Sequence, residues 1–294
     1  MTFPLNLLQL SRIISVLALG LVLQGCSAVK VAYNQAPTLA YLYLDDYVDF
    51  NDVQSPLVKA ELGKFQTWHR QTQLPAYIEL LQKVQAKMLQ DVTAAQACEV
   101  FADVRQKTMA LTDYAEPVAL SVAAAATPKQ LEVMQRKFAK SNATWREDYL
   151  DASANDIADK RQKSAVKRAT MLYGNVNDKQ RSLIAQQIER SQFKPAQSYA
   201  ERQRRQKDIV QTLGKLMANP QDTAAAQQEL RGLLARSATS PDAAHRSYQE
   251  LTTREACTSF AELHNSTTSE QRKKAVQVLA GYEQDFKTLA AQKQ

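Results

Sequence analysis

The residues with chemistry to offer in this chain are few: three cysteines, three histidines and one dense cluster of carboxylates. Asp45, Asp46, Asp49 and Asp52 fall together in "LDDYVDFND". On a helix Asp45, Asp49 and Asp52 share a face, and converging carboxylates can hold a hard cation such as Ca²⁺. The same acids can instead cap a following helix or pair with nearby Lys and Arg. The stretch has neither the glycine nor the alternating ligands of an EF-hand. His69, His245 and His264 lack a metal-ligand spacing such as H-E-x-x-H. There is no G-x-S-x-G elbow, no P-loop and no acid pair suited to general acid–base work. We therefore expect no catalytic residues, no metal site and no cofactor beyond covalent lipid, and a protein that is not an enzyme.

The thiols carry more information. Residues 13–23, "IISVLALGLVL", form an apolar run of eleven. That is too short to cross a bilayer, which takes about 20 residues, and it suits the core of a signal peptide. Leu23-Gln24-Gly25-Cys26 follows and fits a bacterial lipobox. The chemistry needs a thiol at the new N-terminus to accept diacylglycerol, and a small residue before it so that the backbone enters the peptidase. Cys26 is thus the expected lipidation site, with residues 1–25 as signal peptide. Ser27 stands where an Asp would suggest retention in the inner membrane. By similarity to enterobacterial lipoproteins, this implies an outer-membrane anchor facing the periplasm. With Cys26 lipidated, Cys98 and Cys257 remain as an even pair in an oxidising compartment. Their contexts match, "ACEVFADV" at 97–104 and "ACTSFAEL" at 256–263, and predict a disulfide between two packed helices.

Composition bounds the fold. Seven Gly in 294 residues, against about 7% in an average chain, disfavours turn-rich β folds and glycine-loop nucleotide sites. The abundance of Ala, Gln, Leu, Lys and Arg favours helix. The formal net charge is +7, which suits anionic lipid or lipopolysaccharide, or simply a mixed solvated surface. "ERQRRQKD" at 201–208 concentrates that charge. Arg202, Arg204, Arg205 and Lys207 are candidates for anionic-surface contact, the alternative being a solvated helix face. An envelope address excludes nucleic acid as the partner. Envelope proteins and anionic lipid remain, and the oligomeric state is open.

The expected fold is all-α: an elongated multi-helix bundle with one long central helix. Residues 26–52 form a membrane-proximal segment rich in Tyr33, Tyr41, Tyr43, Tyr47 and Phe50, which either meet the membrane interface or pack under the domain. Residues 53–294 form the helical periplasmic domain. From residue 53 the apolar spacing is helical, as in Val58, Leu62, Phe65 and His69. Pro75 sits near a first turn, and Pro117 should bend or split a helix over 94–125. Residues 127–173 contain no Gly and no interior Pro, and Gly174 follows as a cap. If continuous, that helix runs about 70 Å. Further helices are expected near 177–191, 195–218, 221–236, 241–264 and 268–291. "TPKQL" at 127–131, "NDKQR" at 177–181 and "TSEQR" at 268–272 each have the spacing of a capping box.

Three stretches are distinctive: "VKVAYNQAPTLAYLYLDDYVDFNDVQ" at 29–54, "WHRQTQLPAYIELL" at 68–81 and "HNSTTSEQR" at 264–272. Together they resemble a family of proteobacterial lipoproteins catalogued only as a domain of unknown function. The resemblance covers most of the mature chain and implies an all-helical, envelope-anchored lipoprotein. It transfers no activity. Asp45, Asp46, Asp49, Asp52, Tyr47, Trp68, His69 and Arg70, all within these stretches, are the candidate interaction residues. The Thr/Asn-x-x-Gln boxes are also similar to the Leu-Thr-x-x-Gln motif of Spy-type periplasmic chaperones, helical cradles for unfolded clients. Ala126, Val176 and Thr267 replace the leading Leu. The function expected from all this is binding or scaffolding on the periplasmic face of the outer membrane. A chaperone is the first alternative, and an enzyme acting on cell wall or lipid the second.

Overall fold

The computed structural model describes residues 28–218 and 223–292. Cys26 and the signal-peptide expectation lie outside them. Among the described residues there are helices and connecting turns and no strand, as the composition predicts. In chain order they are α1 (Ala28–Asn34), α2 (Ala36–Val48), α3 (Gln54–Trp68), a π-helical turn (His69–Gln73), α4 (Leu74–Lys87), α5 (Ala94–Ala124) and α6 (Pro128–Tyr149). After these come α7 (Ala154–Tyr173), α8 (Asp178–Glu189), α9 (Pro195–Ala218), α10 (Thr223–Ala238), α11 (Ala243–Asn265) and α12 (Ser269–Ala291). No described helix is long and apolar enough to cross a membrane.

The long central helix expected over 127–174 is two helices. It breaks at Leu150–Ser153, where Leu150 and Asp151 both donate backbone N–H groups to the Arg146 carbonyl. Ser153 then caps α7 by accepting the Asp156 N–H at 3.1 Å. Neither Gly nor Pro is needed, because Ser and Asp offer the backbone local hydrogen bonds that compete with helix. Pro117 has the opposite outcome. It lies on the exposed side of α5, and the helix runs through it unsplit. Pro75 follows the π turn. Its missing N–H would have closed a bond to the Gln71 carbonyl, and the wider turn absorbs that loss.

α4 packs along α12, and α5 along α11. The Cys98–Cys257 disulfide joins the latter pair with Cα atoms 5.3 Å apart. α7 with α8 and α9 with α10 form antiparallel neighbours. One core gathers Met88, Ala169, Tyr173, Val176, Ile184 and Ala275, from α4, the α7–α8 region and α12. Within it, fully buried His264 accepts the Tyr173 hydroxyl at Nδ1 (3.0 Å) and donates Nε2–H to the Gln90 carbonyl (2.8 Å).

All three predicted capping boxes form, at Thr127–Gln130, Asn177–Gln180 and Thr268–Gln271. Two more were not anticipated. Thr93 and Gln96 make one at the head of α5. Asn51 and Gln54 exchange the same two bonds, at 3.1 and 2.9 Å, in the turn that leads into α3.

Four of these boxes meet in pairs. Gln54 donates its amide to the Ala125 carbonyl (2.9 Å), and Gln130 donates to the Asp49 carbonyl (3.0 Å). Gln180 donates to the Ser266 carbonyl (3.1 Å), and Gln271 to that of Asn175. In every case the acceptor lies two residues before the partner's capping residue. The two glutamines of each pair also bond to one another. Each pair is a reciprocal amide clamp that ties two interhelical corners together. The two clamps repeat the same set of bonds. The sequence around them repeats as well: Asn-Asp-x-Gln at 51–54 and 177–180, then Thr-x-x-Gln at 127–130 and 268–271.

Three outcomes follow from this packing. Gln180→Ala removes the partner of the Ser266 carbonyl and of the Asn177 N–H and one of the bonds of the Gln271 amide, which keeps its bond to the Asn175 carbonyl, at a cost of about 2 kcal/mol. Gln96→Ala in the exposed, unpaired box costs less than about 1 kcal/mol. Urea titrations of the two variants check the contrast. Removing the disulfide as Cys98→Ser/Cys257→Ser opens a loop spanning a sequence separation of 159 residues and lowers stability by up to about 5 kcal/mol on the chain-entropy model. Burial also pushes His264 below the ordinary His range. As pH falls through about 6.5, the unfolded chain binds the proton first, so stability drops there. Melting temperatures between pH 7.5 and 5 should show this loss, and His264→Gln should reduce it.

Candidate functional site

The predicted interaction residues do not form one site. Asp45 caps the end of α2 by accepting the Phe50 N–H at 2.9 Å, and Asp46 pairs with Lys137. Asp49 adopts the left-handed conformation (φ 56°) and ends the helix, so Asp52 leaves the shared face. Among the described residues no group of three metal-ligating side chains converges. Asp45 thus caps and Asp46 pairs, while Asp49 contributes its backbone carbonyl to Gln130. Tyr47 packs on Phe138 at 6.0 Å, and Tyr41 stacks on Phe50. Tyr43 stays 65% exposed beside Leu39 and Leu42. The aromatic segment thus both packs and presents an apolar edge.

Trp68, His69 and Arg70 lie about the π turn. Trp68 stacks on Tyr114 at 4.1 Å. His69 accepts the Tyr33 hydroxyl at 2.9 Å, and burial lowers its pKa, so it sits neutral. Buried Arg70 donates to Asn34 Oδ1 at 3.0 Å and lies over the Tyr33 ring. These contacts fasten α1 to the α3–α4 corner.

The basic run is mostly consumed internally. Glu201 is buried between Arg204, which grips both its oxygens at 2.8 Å, and Arg205 at 2.9 Å. Burial alone would raise the Glu201 pKa. The bonds from Arg204, Arg205 and Ser240 outweigh it and hold the carboxyl at about 2. Arg202 donates to Asn142 and Ser141 on α6. Arg202, and Arg204 through the Arg236 carbonyl at 3.0 Å, therefore pin α9 to its neighbours, while Arg205 is spent on Glu201 within α9. Lys207 stays on the exposed side. The acids at 201 and 208, interleaved with the arginines, were the sequence signal for this.

Between the two predicted clusters lies what the sequence did not reveal. An apolar groove of about 380 Å³ runs among α2, α3, α5, α6 and α9. α5 contributes Ala115, Val118, Ala119, Val122 and Ala123, a stripe at helical spacing, and the turn after it adds Ala126. Leu44, Val48 and Phe50 come from α2 and its turn, Val58, Leu62 and Phe65 from α3, Leu131 and Met134 from α6, and Leu213 from α9. Most of these side chains are half-buried and Leu44 is exposed, so the groove opens to solvent. Glu61 and Gln130 are its polar side chains. At one end stands the Gln54–Gln130 clamp. At the other, Phe65 touches Trp68 and Tyr114 at 5.5 and 5.6 Å.

Counting from the clamps explains the vacancy. Phe50, Val58 and Leu62 take the positions that Val176, Ile184 and Ile188 hold around the second clamp. Met134 answers to Ala275. But Ala119 stands where the other half has Phe260, and Ala123 where it has His264. There Phe260 and His264 stack face to face at 6.0 Å, and Met88 of α4 is buried in the same core. The first half keeps the frame and lacks those rings. The resulting apolar slot falls within the usual 300–1,000 Å³ of a ligand site.

No curated protein and no solved structure matches the chain. Residues 46–243 match the family of unknown function DUF6279. That span covers most of the chain and includes the first clamp, the groove apart from Leu44, and the Glu201 network, and by it the protein belongs to the DUF6279 family.

Proposed function

We propose that this is a lipoprotein, anchored through Cys26 on the periplasmic face of the outer membrane, that binds an apolar guest in the groove beside α5. The observation that carries the reading is the groove: an open, nearly all-aliphatic slot where the second half of the same fold is filled. Soluble folds fill such slots, because each buried methylene contributes about 0.8 kcal/mol and an empty apolar cavity forfeits that contact. A chain that keeps one clamp packed and the other hollow has a use for the hollow one. The lipobox and the short apolar run support the anchor. The chemistry of the groove supports binding rather than catalysis, since its two polar side chains are engaged elsewhere: Gln130 in the clamp, Glu61 with Lys64 at 2.6 Å.

A holdase for unfolded clients is the second reading. Leu39, Leu42, Tyr43, Val53 and Leu57, each 43% to 82% exposed, give an apolar surface close to the groove's α2 and α3 walls. The two readings part on stoichiometry and on site.

Ala119→Phe restores the ring that the other half carries. The lipidated full chain, held in lipid nanodiscs, is titrated with 1-anilinonaphthalene-8-sulfonate against empty discs. A saturable site of about one probe per chain is expected, lost in Ala119→Phe and kept in Lys207→Ala. The same Ala119→Phe change should raise stability by about 1 kcal/mol, read as a higher urea midpoint. Saturable binding that survives Ala119→Phe, or none in the parent, overturns the reading.

A further inference from the structure

We propose that a pocket between α5, α11 and the turn before α11 binds a phosphate group, gripped by Arg105, Arg246 and Arg254. It shares no lining residue with the apolar groove and does not rest on the reading of that groove.

The disulfide sets the register. Cys98 of α5 and Cys257 of α11 are joined with Cα atoms 5.3 Å apart. On one side of the bridge the Val92 N–H donates to Asn265 Oδ1 at 2.9 Å, so the two helices run antiparallel. On the other side Arg105 lies seven residues after Cys98, and Glu250 seven before Cys257. Seven residues make about two helical turns, which brings these two positions level. Arg105 therefore meets the stretch of α11 that carries Arg246, Gln249, Glu250 and Arg254. All five, with Thr239 of the preceding turn, line one open pocket of about 320 Å³.

The arginines are fixed in place without being neutralised. Arg105 donates through Nη2 to the last carbonyl of α10, that of Ala238, at 2.9 Å. Arg246 spends Nη1 on the Ser240 and Pro241 carbonyls at 2.9 and 2.8 Å. A carbonyl dipole orients a guanidinium and leaves its full charge in place. Among the described residues neither Arg105 nor Arg246 forms an ion pair with a carboxylate. Arg254 meets Glu250 only at 3.9 Å, with side chains 65% and 70% exposed, a loose contact. The clustered arginines of α9 and α10 are treated differently, since Arg204 and Arg236 close on Glu201 and Asp208. Three cations around one acid leave the pocket with a formal charge of +2. A recess lined by one sign of charge concentrates the opposite ion.

Charge and geometry select phosphate. A phosphate monoester carries about −1.5 to −2 at pH 7, which matches the pocket, whereas a single carboxylate carries −1. Its terminal oxygens can accept paired N–H bonds from more than one guanidinium, the fork geometry by which arginine holds phosphate. Arg246 keeps Nε and Nη2 for such bonds, and Arg105 keeps Nε and Nη1. Thr239 and Gln249 add a hydroxyl and an amide at the wall. A neutral ligand would leave the three cations unanswered. Free phosphate and a phosphomonoester headgroup share this chemistry.

The lipidated full chain in phosphatidylcholine nanodiscs is dialysed to equilibrium against radiolabelled inorganic phosphate or radiolabelled glycerol 3-phosphate. Ionic strength is held constant, and empty discs are the reference. We expect one saturable site per chain. Affinity should fall by about tenfold or more in Arg105→Gln and in Arg254→Gln. It should stay within about twofold of the parent in Arg168→Gln, which removes an exposed arginine of α7. Arg254→Gln gives up only the loose contact with Glu250, so it tests the pocket without disturbing the end of α10. Circular dichroism confirms that each variant is folded. Tighter binding of inorganic phosphate identifies the free anion, and tighter binding of the ester identifies a headgroup; either supports the proposal. No saturable binding in the parent, unchanged binding in either pocket variant, or an equal loss in Arg168→Gln overturns it.

Discussion

The fold depends on answering every bond of four glutamine amides, three of them buried and Gln271 half-buried. A primary amide taken out of water without partners costs several kcal/mol, so a buried Gln is tolerated only where every donor and acceptor is answered. Here Gln130 and Gln180 are 5% and 2% exposed, and each oxygen takes the N–H of its own capping residue. Each nitrogen reaches across to the carbonyl at the neighbouring corner. A shift of either helix by one residue would break all of these bonds at once. The clamp is therefore a register lock as well as a cap. It sets α3 against α6, and α8 against α12, at the points where those helices begin.

A lock made of backbone carbonyls and glutamines leaves the adjoining apolar positions free to vary. That freedom is what the two halves display. Around the second clamp, Phe260, His264, Tyr173 and Met88 fill the space, and a hydroxyl–imidazole–carbonyl chain closes it. Around the first, Tyr47 takes the register position of Tyr173, and Ala123 that of the imidazole. With no partner there, Tyr47 turns to Phe138 and Tyr43. The frame survives because its stability comes from the clamp, from the aromatic corner at Trp68–Tyr114 and from the Glu201 network, none of which needs the groove filled. The Cys98–Cys257 bridge adds to this by tying α5, the floor of the groove, to α11 of the packed half.

Much of the architecture was legible because its signals are local. Capping boxes act within four residues, and the helices they begin were read with near-correct ends. The matching contexts of Cys98 and Cys257 gave the bridge. What escaped reading was of two kinds. The break at Leu150–Ser153 is written in Ser153 and Asp156, whose capping bond ends one helix and starts the next without Gly or Pro. The pairing of the boxes was invisible for a deeper reason. A glutamine's oxygen advertises a cap to its own helix, while its nitrogen is committed to a carbonyl 71 to 96 residues away. Nothing in the local pattern distinguishes Gln96, which is half-buried and meets no second box, from Gln180, which is buried in a clamp. The groove was hidden by the same rule: an alanine stripe reads as good helix former whether it packs against a ring or against nothing.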